Sequence, residues 1–246
     1  MKDQYFADIG DYGKYGLLRF IAQQGIQIAV NWYMTLDDDP PTRDGHFRDY
    51  LDNGQYSDKD KYLFDELNKM HGLKQYSVEA FEEKGLIPDA RYYHERIDSK
   101  DWKQLQSKDK LSQRLQWHSK AIASCKGAEL VFLDPDNGLS QNKINGWQTA
   151  RKYVFLDEAY DYYKAGSDIV YYCHKGRRTY SKWMDAINSL KTKDPDIHIR
   201  AITYRKGTQR TYVFAVHPEK AMQYDDIIKR FLETDWGKDN LFVPEV

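Results

Sequence analysis

The sequence has little of what marks a disulfide framework, a zinc cluster or a membrane protein. Its 246 residues include two cysteines, Cys125 and Cys173, too few for either of the first two. No apolar run approaches the roughly 18 residues of a membrane-spanning helix, so we expect no membrane partner. The opening MKDQYFADIG lacks a signal-peptide core, which predicts a cytoplasmic protein. The net charge of -1 excludes a strong overall field toward nucleic acid but leaves room for a local basic patch.

The common catalytic motifs are also missing. There is no Ser-centred nucleophile elbow, no Cys–His pairing with a local signature and no Gly-rich phosphate loop. A function has to be inferred instead from polar residues that the fold brings together.

Short apolar runs alternate with helical patterns, which is typical of a mostly parallel sheet with helices on both faces. The pattern predicts helices at 11–24, 58–71, 77–84, 101–124, 152–165, 179–192 and 219–233, and strands at 26–34, 91–97, 129–134, 168–174, 197–204 and 210–216. The last two strands flank a short link with a glycine, which indicates an antiparallel hairpin. We therefore predict one doubly wound α/β domain over 1–246, with a C-terminal hairpin and a long loop or insertion at about 35–60.

The clearest strand ends in Asp134-Pro135-Asp136-Asn137-Gly138. In open α/β sheets ligands bind outside the carboxyl ends of the strands, so we expect the working site here. Asp134, Asp136 and Asn137 are the candidate catalytic residues, because two carboxylates and an amide can hold a substrate amine, a ribose or a metal ion. The same residues are standard turn formers, and a simple turn stays open.

Two further segments carry candidate ligands. Asp8, Asp11 and Lys14 precede or open the first helix, whose N-terminus attracts anions; ordinary helix capping explains the aspartates equally well. The segment 37–46 follows the first strand, where cofactors dock in doubly wound folds, and includes Asp37 and His46. On its charge alone this segment is better explained as a solvated acidic loop.

A basic cluster follows another strand and comprises His174, Lys175, Arg177 and Arg178. Clustered cations suit phosphate, so we predict a substrate-binding role for these four residues. They lie beside Asp134 if the two strands are neighbours. Arg205, Lys206 and Arg210 of the hairpin could extend the patch, although edge hairpins are often charged only to prevent aggregation.

On these stretches the chain resembles the Rossmann-type S-adenosylmethionine-dependent methyltransferases. In layout it is most similar to RNA adenine-N6 methyltransferases and to the partner proteins of three-Cys-motif systems. The matching stretches are Asp11-Tyr12-Gly13-Lys14-Tyr15-Gly16-Leu17-Leu18 and Asp134-Pro135-Asp136-Asn137. The chain departs from the family in having no glycine in 31–37, where the family has its cofactor loop, and in Asp136-Asn137 replacing Pro-Tyr.

The resemblance implies S-adenosylmethionine as cofactor and a nucleic acid or nucleotide as substrate. It places Lys14, Asn31, Asp37 and His46 on the cofactor side and gives Asp134 the substrate amine, with Asn137 orienting it.

Two other functions stay open. A metal-dependent nuclease or phosphodiesterase would bind Mg²⁺ or Mn²⁺ through Asp134 and Asp136, with Asp37, Asp39 or His46 as further candidate ligands and Arg177 neutralising the phosphoryl charge. A non-catalytic module would capture a nucleotide or a protein partner.

Overall fold

The computed structural model describes residues 1–37, 45–140 and 146–246. Within them the α-helices are α1 (Ile9–Gln23), α2 (Asp49–Asn53), α3 (Lys61–Gly72), α4 (Val78–Glu83), α5 (Ser107–Cys125), α6 (Trp147–Ala150), α7 (Leu156–Lys164), α8 (Tyr180–Ile187), α9 (Ala221–Leu232) and α10 (Asp235–Lys238). The strands are β1 (Ile28–Asn31), β2 (Arg91–Tyr93), β3 (Leu130–Leu133), β4 (Gly138–Ser140), β5 (Tyr153–Phe155), β6 (Asp168–Cys173), β7 (His198–Tyr204), β8 (Arg210–Val216) and β9 (Phe242–Pro244). Short 3-10 turns lie at Asp3–Tyr5, Ser189–Thr192 and Pro218–Lys220.

A seven-stranded sheet in the order β2-β1-β3-β6-β8-β7-β9 forms the centre of the molecule. The first four of these strands pair in parallel, and β8 runs antiparallel to both β6 and β7. The predicted mixed α/β fold with a mostly parallel sheet is therefore confirmed. Since β1 pairs with β2 on one side and β3 on the other, the strand order reverses at β1.

Side chains of successive strand residues enter two different cores. On β3, Leu130 and Phe132 pack with α1, α3 and α9, whereas Val131 and Leu133 pack with α5, α7 and α8. All four are buried, as expected for a strand with a helical layer on each face. The sheet therefore lies between two helical layers, and its strand ends remain available for a site.

Several predicted elements have different bounds in the structure. The strand predicted at 91–97 is limited to Arg91–Tyr93, and the helix predicted at 101–124 begins at Ser107. The first strand was predicted to reach residue 34, but β1 ends at Asn31, and Tyr33 has a positive φ of 47° that turns the chain. The predicted helix at 152–165 begins instead as β5, which pairs with β4. Helix α7 starts only after Phe155, whose amide donates to Glu158 Oε2 at 3.1 Å.

The loop predicted at about 35–60 also contains regular structure. Residues Asp49–Asn53 form α2, and Gly54 follows in the left-handed conformation that commonly ends a helix. The short strands β4, β5 and β9 were not predicted either, because three-residue strands give no clear alternation. No helix in the described part of the chain is long and apolar enough to cross a membrane.

Both cysteines are buried and unpaired. Burial raises the pKa of Cys125 to about 12 and also raises the pKa of Cys173. Because the thiolate is the reactive form, we expect neither thiol to react with Ellman's reagent at about pH 8 in the folded protein, and both to react in denaturant. Absorbance at 412 nm with and without urea measures this directly; rapid labelling of the native chain would contradict the buried placement.

Candidate functional site

A pocket of about 270 Å³ lies at the carboxyl ends of β3 and β6, beside the start of α1. We call it the Asp134 pocket. Its lining includes four carboxylates (Asp8, Asp11, Asp134, Asp136), the cations Lys14, Lys152 and Arg210, the polar residues Asn137 and His174, and the aromatic residues Tyr5, Phe47, Tyr172 and Tyr212. The strand end predicted to carry the site thus borders a cavity in which charged groups of both signs converge.

Asp134 is placed by the sheet itself. Its amide donates to the carbonyl of Asn31 at 3.0 Å, which extends the β1–β3 ladder by one residue. The chain then turns at Gly138, whose φ is 107° and whose position leaves no room for a side chain: a Cβ would lie 2.9 Å from the Cα of Cys173. This close approach holds the 134–137 loop against the end of β6.

Glycines bring α1 close to the sheet. A Cβ at Gly10 would overlap the guanidinium of Arg210, and a Cβ at Gly13 would lie 2.7 Å from the buried ring of Tyr204. Asp8 caps the helix by accepting a hydrogen bond from the Asp11 amide at 2.8 Å. The capping interpretation of Asp8 is therefore correct, and the same residue also lines the pocket.

The charged side chains form one connected network. Lys14 Nζ lies 2.7 Å from Asp134 Oδ2 and 2.9 Å from Asp11 Oδ1. Arg210 Nη1 lies 3.3 Å from Asp11 Oδ1, and Arg210 Nη2 lies 2.7 Å from Asp8 Oδ2. The network thus runs from Asp134 through Lys14, Asp11 and Arg210 to Asp8. Buried charges of this kind are held only by partners in good geometry.

Burial and pairing act on these groups in opposite directions. Burial opposes the charge of Lys14, but Asp11 and Asp134 outweigh it, so the pKa of Lys14 is raised. Burial likewise raises the pKa of the Asp8 carboxyl, and the nearby Arg210 only partly offsets this. Asp8 is therefore easier to protonate than an ordinary aspartate.

The remaining residues of the loop after β3 have different surroundings. Asp136 Oδ1 lies 2.9 Å from the α-amino nitrogen of Met1, and its Oδ2 lies 4.0 Å from Lys2 Nζ. The backbone N–H of Asn137 donates to the carbonyl of Lys152 at 3.0 Å, and Asn137 lines the pocket. All three residues predicted to be catalytic therefore border one cavity.

A second, open cavity of about 480 Å³ adjoins the first. We call it the basic cavity; its lining comprises Asn137, Tyr153, His174, Lys175, Gly176, Arg177, Arg178, Thr179 and Lys182. All four residues predicted to bind substrate are brought together here. The two cavities share Asn137 and His174, because β3 and β6 are neighbours with Leu133 opposite Tyr171.

Arg210 is not part of this basic surface, which corrects the idea that the hairpin extends the patch. It is only 18% exposed and is paired with Asp8 and Asp11 inside the charged network. Of the residues predicted on the cofactor side, Lys14 is the one that lines the Asp134 pocket.

The other cofactor-side residues lie elsewhere. Within the core, the side-chain Nδ2 of Asn31 donates to the Tyr162 hydroxyl at 2.9 Å. The side-chain Oδ1 of Asn31 accepts from the backbone N–H of Tyr33 at 3.0 Å. Asp37 and His46 are exposed and do not line the pocket. Asp39 lies outside the described residues.

The segment after β1 does not fit S-adenosylmethionine in the manner of the resembled family. Trp32, Tyr33 and Met34 are buried there, with exposures of 2% or less. The family relies on a glycine turn that lets the backbone approach the cofactor, whereas the residues after β1 here are large and packed into the core. For metal binding, the described part of the chain holds no group of three or more His, Cys, Asp or Glu residues arranged as ligands.

Sequence reasoning did not identify Arg210 as a partner of α1, nor Tyr172 and Tyr212 as pocket residues. The one available signal was the spacing of Gly10, Gly13 and Gly16 along one face of a helix, which indicates close packing against another element. No family model matches this chain, and neither does any curated protein. The geometry of the two adjoining cavities is therefore what a functional proposal has to use.

Proposed function

We propose that the chain is a methyltransferase-like enzyme that acts on a nucleotide or a nucleic acid. The observation that carries the proposal is the junction of the two cavities: a buried network of charged groups lies next to an open cluster of cations, with Asn137 and His174 bordering both. A substrate with a phosphate beside its reacting group matches this division.

Each residue then has a separate task. Asp134 accepts hydrogen bonds from a substrate amine, and Lys14 fixes the Asp134 carboxylate through a charge-assisted contact of 2.7 Å. Asn137 orients the same group from the loop. Asp8 caps α1 and pairs with Arg210, and it thereby fixes the far end of the network. The basic cavity holds the phosphate.

Methyl transfer is the reaction class that the resemblance suggests, and the sheet supports it at the level of fold. An antiparallel strand between two that run the other way, as β8 lies between β6 and β7, is the arrangement of Rossmann-type methyltransferases. Because the segment after β1 has the buried Trp32 and Tyr33 and no glycine turn, S-adenosylmethionine would need a different binding mode.

Metal-dependent phosphodiester hydrolysis is the second candidate, and one observation favours it: Asp8, Asp11, Asp134 and Asp136 line a single pocket. Carboxylates are the ligands that Mg²⁺ and Mn²⁺ prefer. The ammonium of Lys14, however, lies between Asp11 and Asp134, where it already compensates both charges. A divalent ion would have to displace it, which makes this candidate the weaker one.

Asp134→Asn is the variant that tests the site. We expect incorporation of label from tritiated S-adenosylmethionine into RNA, DNA or free nucleotides by the parent chain, and a loss of about 100-fold or more in the variant, because the amide cannot replace the carboxylate. Scintillation counting after separation of the acceptors gives the measurement, and Asp226→Asn, on the exposed part of α9, is the matched control.

Titration calorimetry with S-adenosylhomocysteine and with Mn²⁺ separates the two candidates. Binding of Mn²⁺ alone, together with Asp134-dependent cleavage of a phosphodiester, would replace methyl transfer by hydrolysis. Full methyl-transfer or phosphodiester-cleavage activity of Asp134→Asn would show that the Asp134 pocket is not the active site.

A further inference from the structure

The cations of the basic cavity divide into those that hold the loop and those that do not. Arg178 donates through Nη1 to the carbonyls of His174 and Lys175, and thereby fixes the turn after β6. Lys175 lies 3.7 Å from Glu245. Arg177 and Lys182 are exposed, and within the described part of the chain the side chain of neither has an ion pair or a hydrogen bond. These two side chains contribute positive charge that the described chain does not neutralise.

An exposed aromatic residue follows the cavity-lining residues along the chain. Tyr180 is 67% exposed at the first residue of α8, directly after Thr179, which lines the basic cavity. Among the tyrosines and tryptophans of the described residues, only Tyr62 is also exposed, at 57%. Proteins that bind single strands combine exposed rings, on which bases stack, with cations that hold the phosphates.

We propose that residues 177–182 bind single-stranded nucleic acid, with phosphates at Arg177 and Lys182 and a base stacked on Tyr180. The inference rests on the proposed function and specifies its substrate as a polymer. A single strand is favoured over a duplex because only unstacked bases can lie on an exposed ring or enter the small Asp134 pocket. A free nucleotide would need the Asp134 pocket and one phosphate contact but not the exposed ring beyond them.

Fluorescence anisotropy with a labelled single-stranded oligonucleotide of about 12 nucleotides tests the surface. We expect R177A/K182A to weaken binding about tenfold at moderate salt, and to lower the slope of log affinity against log salt by about 1.4, since two phosphate contacts with a single strand are lost. Tyr180→Ala should weaken binding by about tenfold with little change in that slope, and Tyr180→Phe, which keeps the ring, should bind like the parent.

The matched control is K84A/K229A, which removes two exposed lysines outside this surface and should leave affinity within about twofold. Equal losses in the control, or tighter binding of a duplex of the same sequence, would overturn the proposal. So would unchanged affinity of both R177A/K182A and Tyr180→Ala.

The surface and the active site are tested separately by repeating the titration with Asp134→Asn. Oligonucleotide binding that persists in this variant, without turnover in the parent, supports the surface and contradicts the proposed function. Turnover of free nucleotides that is insensitive to R177A/K182A and to Tyr180→Ala supports the function and contradicts the surface.

Discussion

Replacing Lys14 by methionine should lower the free energy of unfolding by about 3–5 kcal/mol, the usual result of removing one partner from a buried ion pair. Lys14 is 2% exposed, and its ammonium compensates both Asp11 and Asp134. Methionine fills a similar volume but leaves the two carboxylates without their shared cation. Urea unfolding followed by tryptophan fluorescence gives the change in free energy.

Lys229→Met on the exposed face of α9 is the control, and we expect it to change stability by no more than about 0.5 kcal/mol. Because the pKa of Lys14 is raised in the folded chain, its contribution is complete below the usual lysine pKa and declines only as the pH rises through the raised value. The difference between parent and Lys14→Met should thus stay constant from about pH 6 to pH 9. A difference in unfolding free energy that disappears near neutral pH would contradict the pairing.

The position of the two cavities could be predicted from the sequence, because it depends on local patterns. The run Leu130–Leu133 is apolar on both faces and is followed at once by turn residues, which marks a buried strand and its carboxyl end. The basic cluster after β6 falls beside it since neighbouring parallel strands end at the same edge of a sheet. The adjacency of the strands and the local composition were together sufficient to predict where both cavities lie.

The charged network could not be predicted, because it depends on contacts between distant parts of the chain. Arg210 lies 202 positions from Asp8, and the sequence alone made it part of an exposed hairpin. Only the close packing of α1 against the start of β8 turns it inward. The structure of the segment after β1 has the same origin. The sequence shows that this segment lacks a glycine, but the buried positions of Trp32 and Tyr33 are a result of tertiary packing.

Gly10→Ala should destabilise the chain by disturbing the charged network. A methyl group there would overlap the guanidinium of Arg210, so the guanidinium has to leave its place between Asp8 and Asp11. Displacing this cation leaves two buried carboxylates short of a partner, and we expect a loss of about 3 kcal/mol in unfolding free energy. We also expect any activity that depends on Asp134 to fall with it.

Gly72→Ala is the matched control. Gly72 also lies in a helix, but a Cβ there would meet no atom within 4 Å. Alanine is the better helix former, so this variant should be unchanged or more stable by up to about 1 kcal/mol. If Gly10→Ala acts by displacing Arg210, then Arg210→Met alone should cost a similar amount, and the double variant should cost clearly less than the sum of the two. Additive losses would show instead that Gly10 and Arg210 stabilise the chain independently, and that the network does not depend on the close approach of α1.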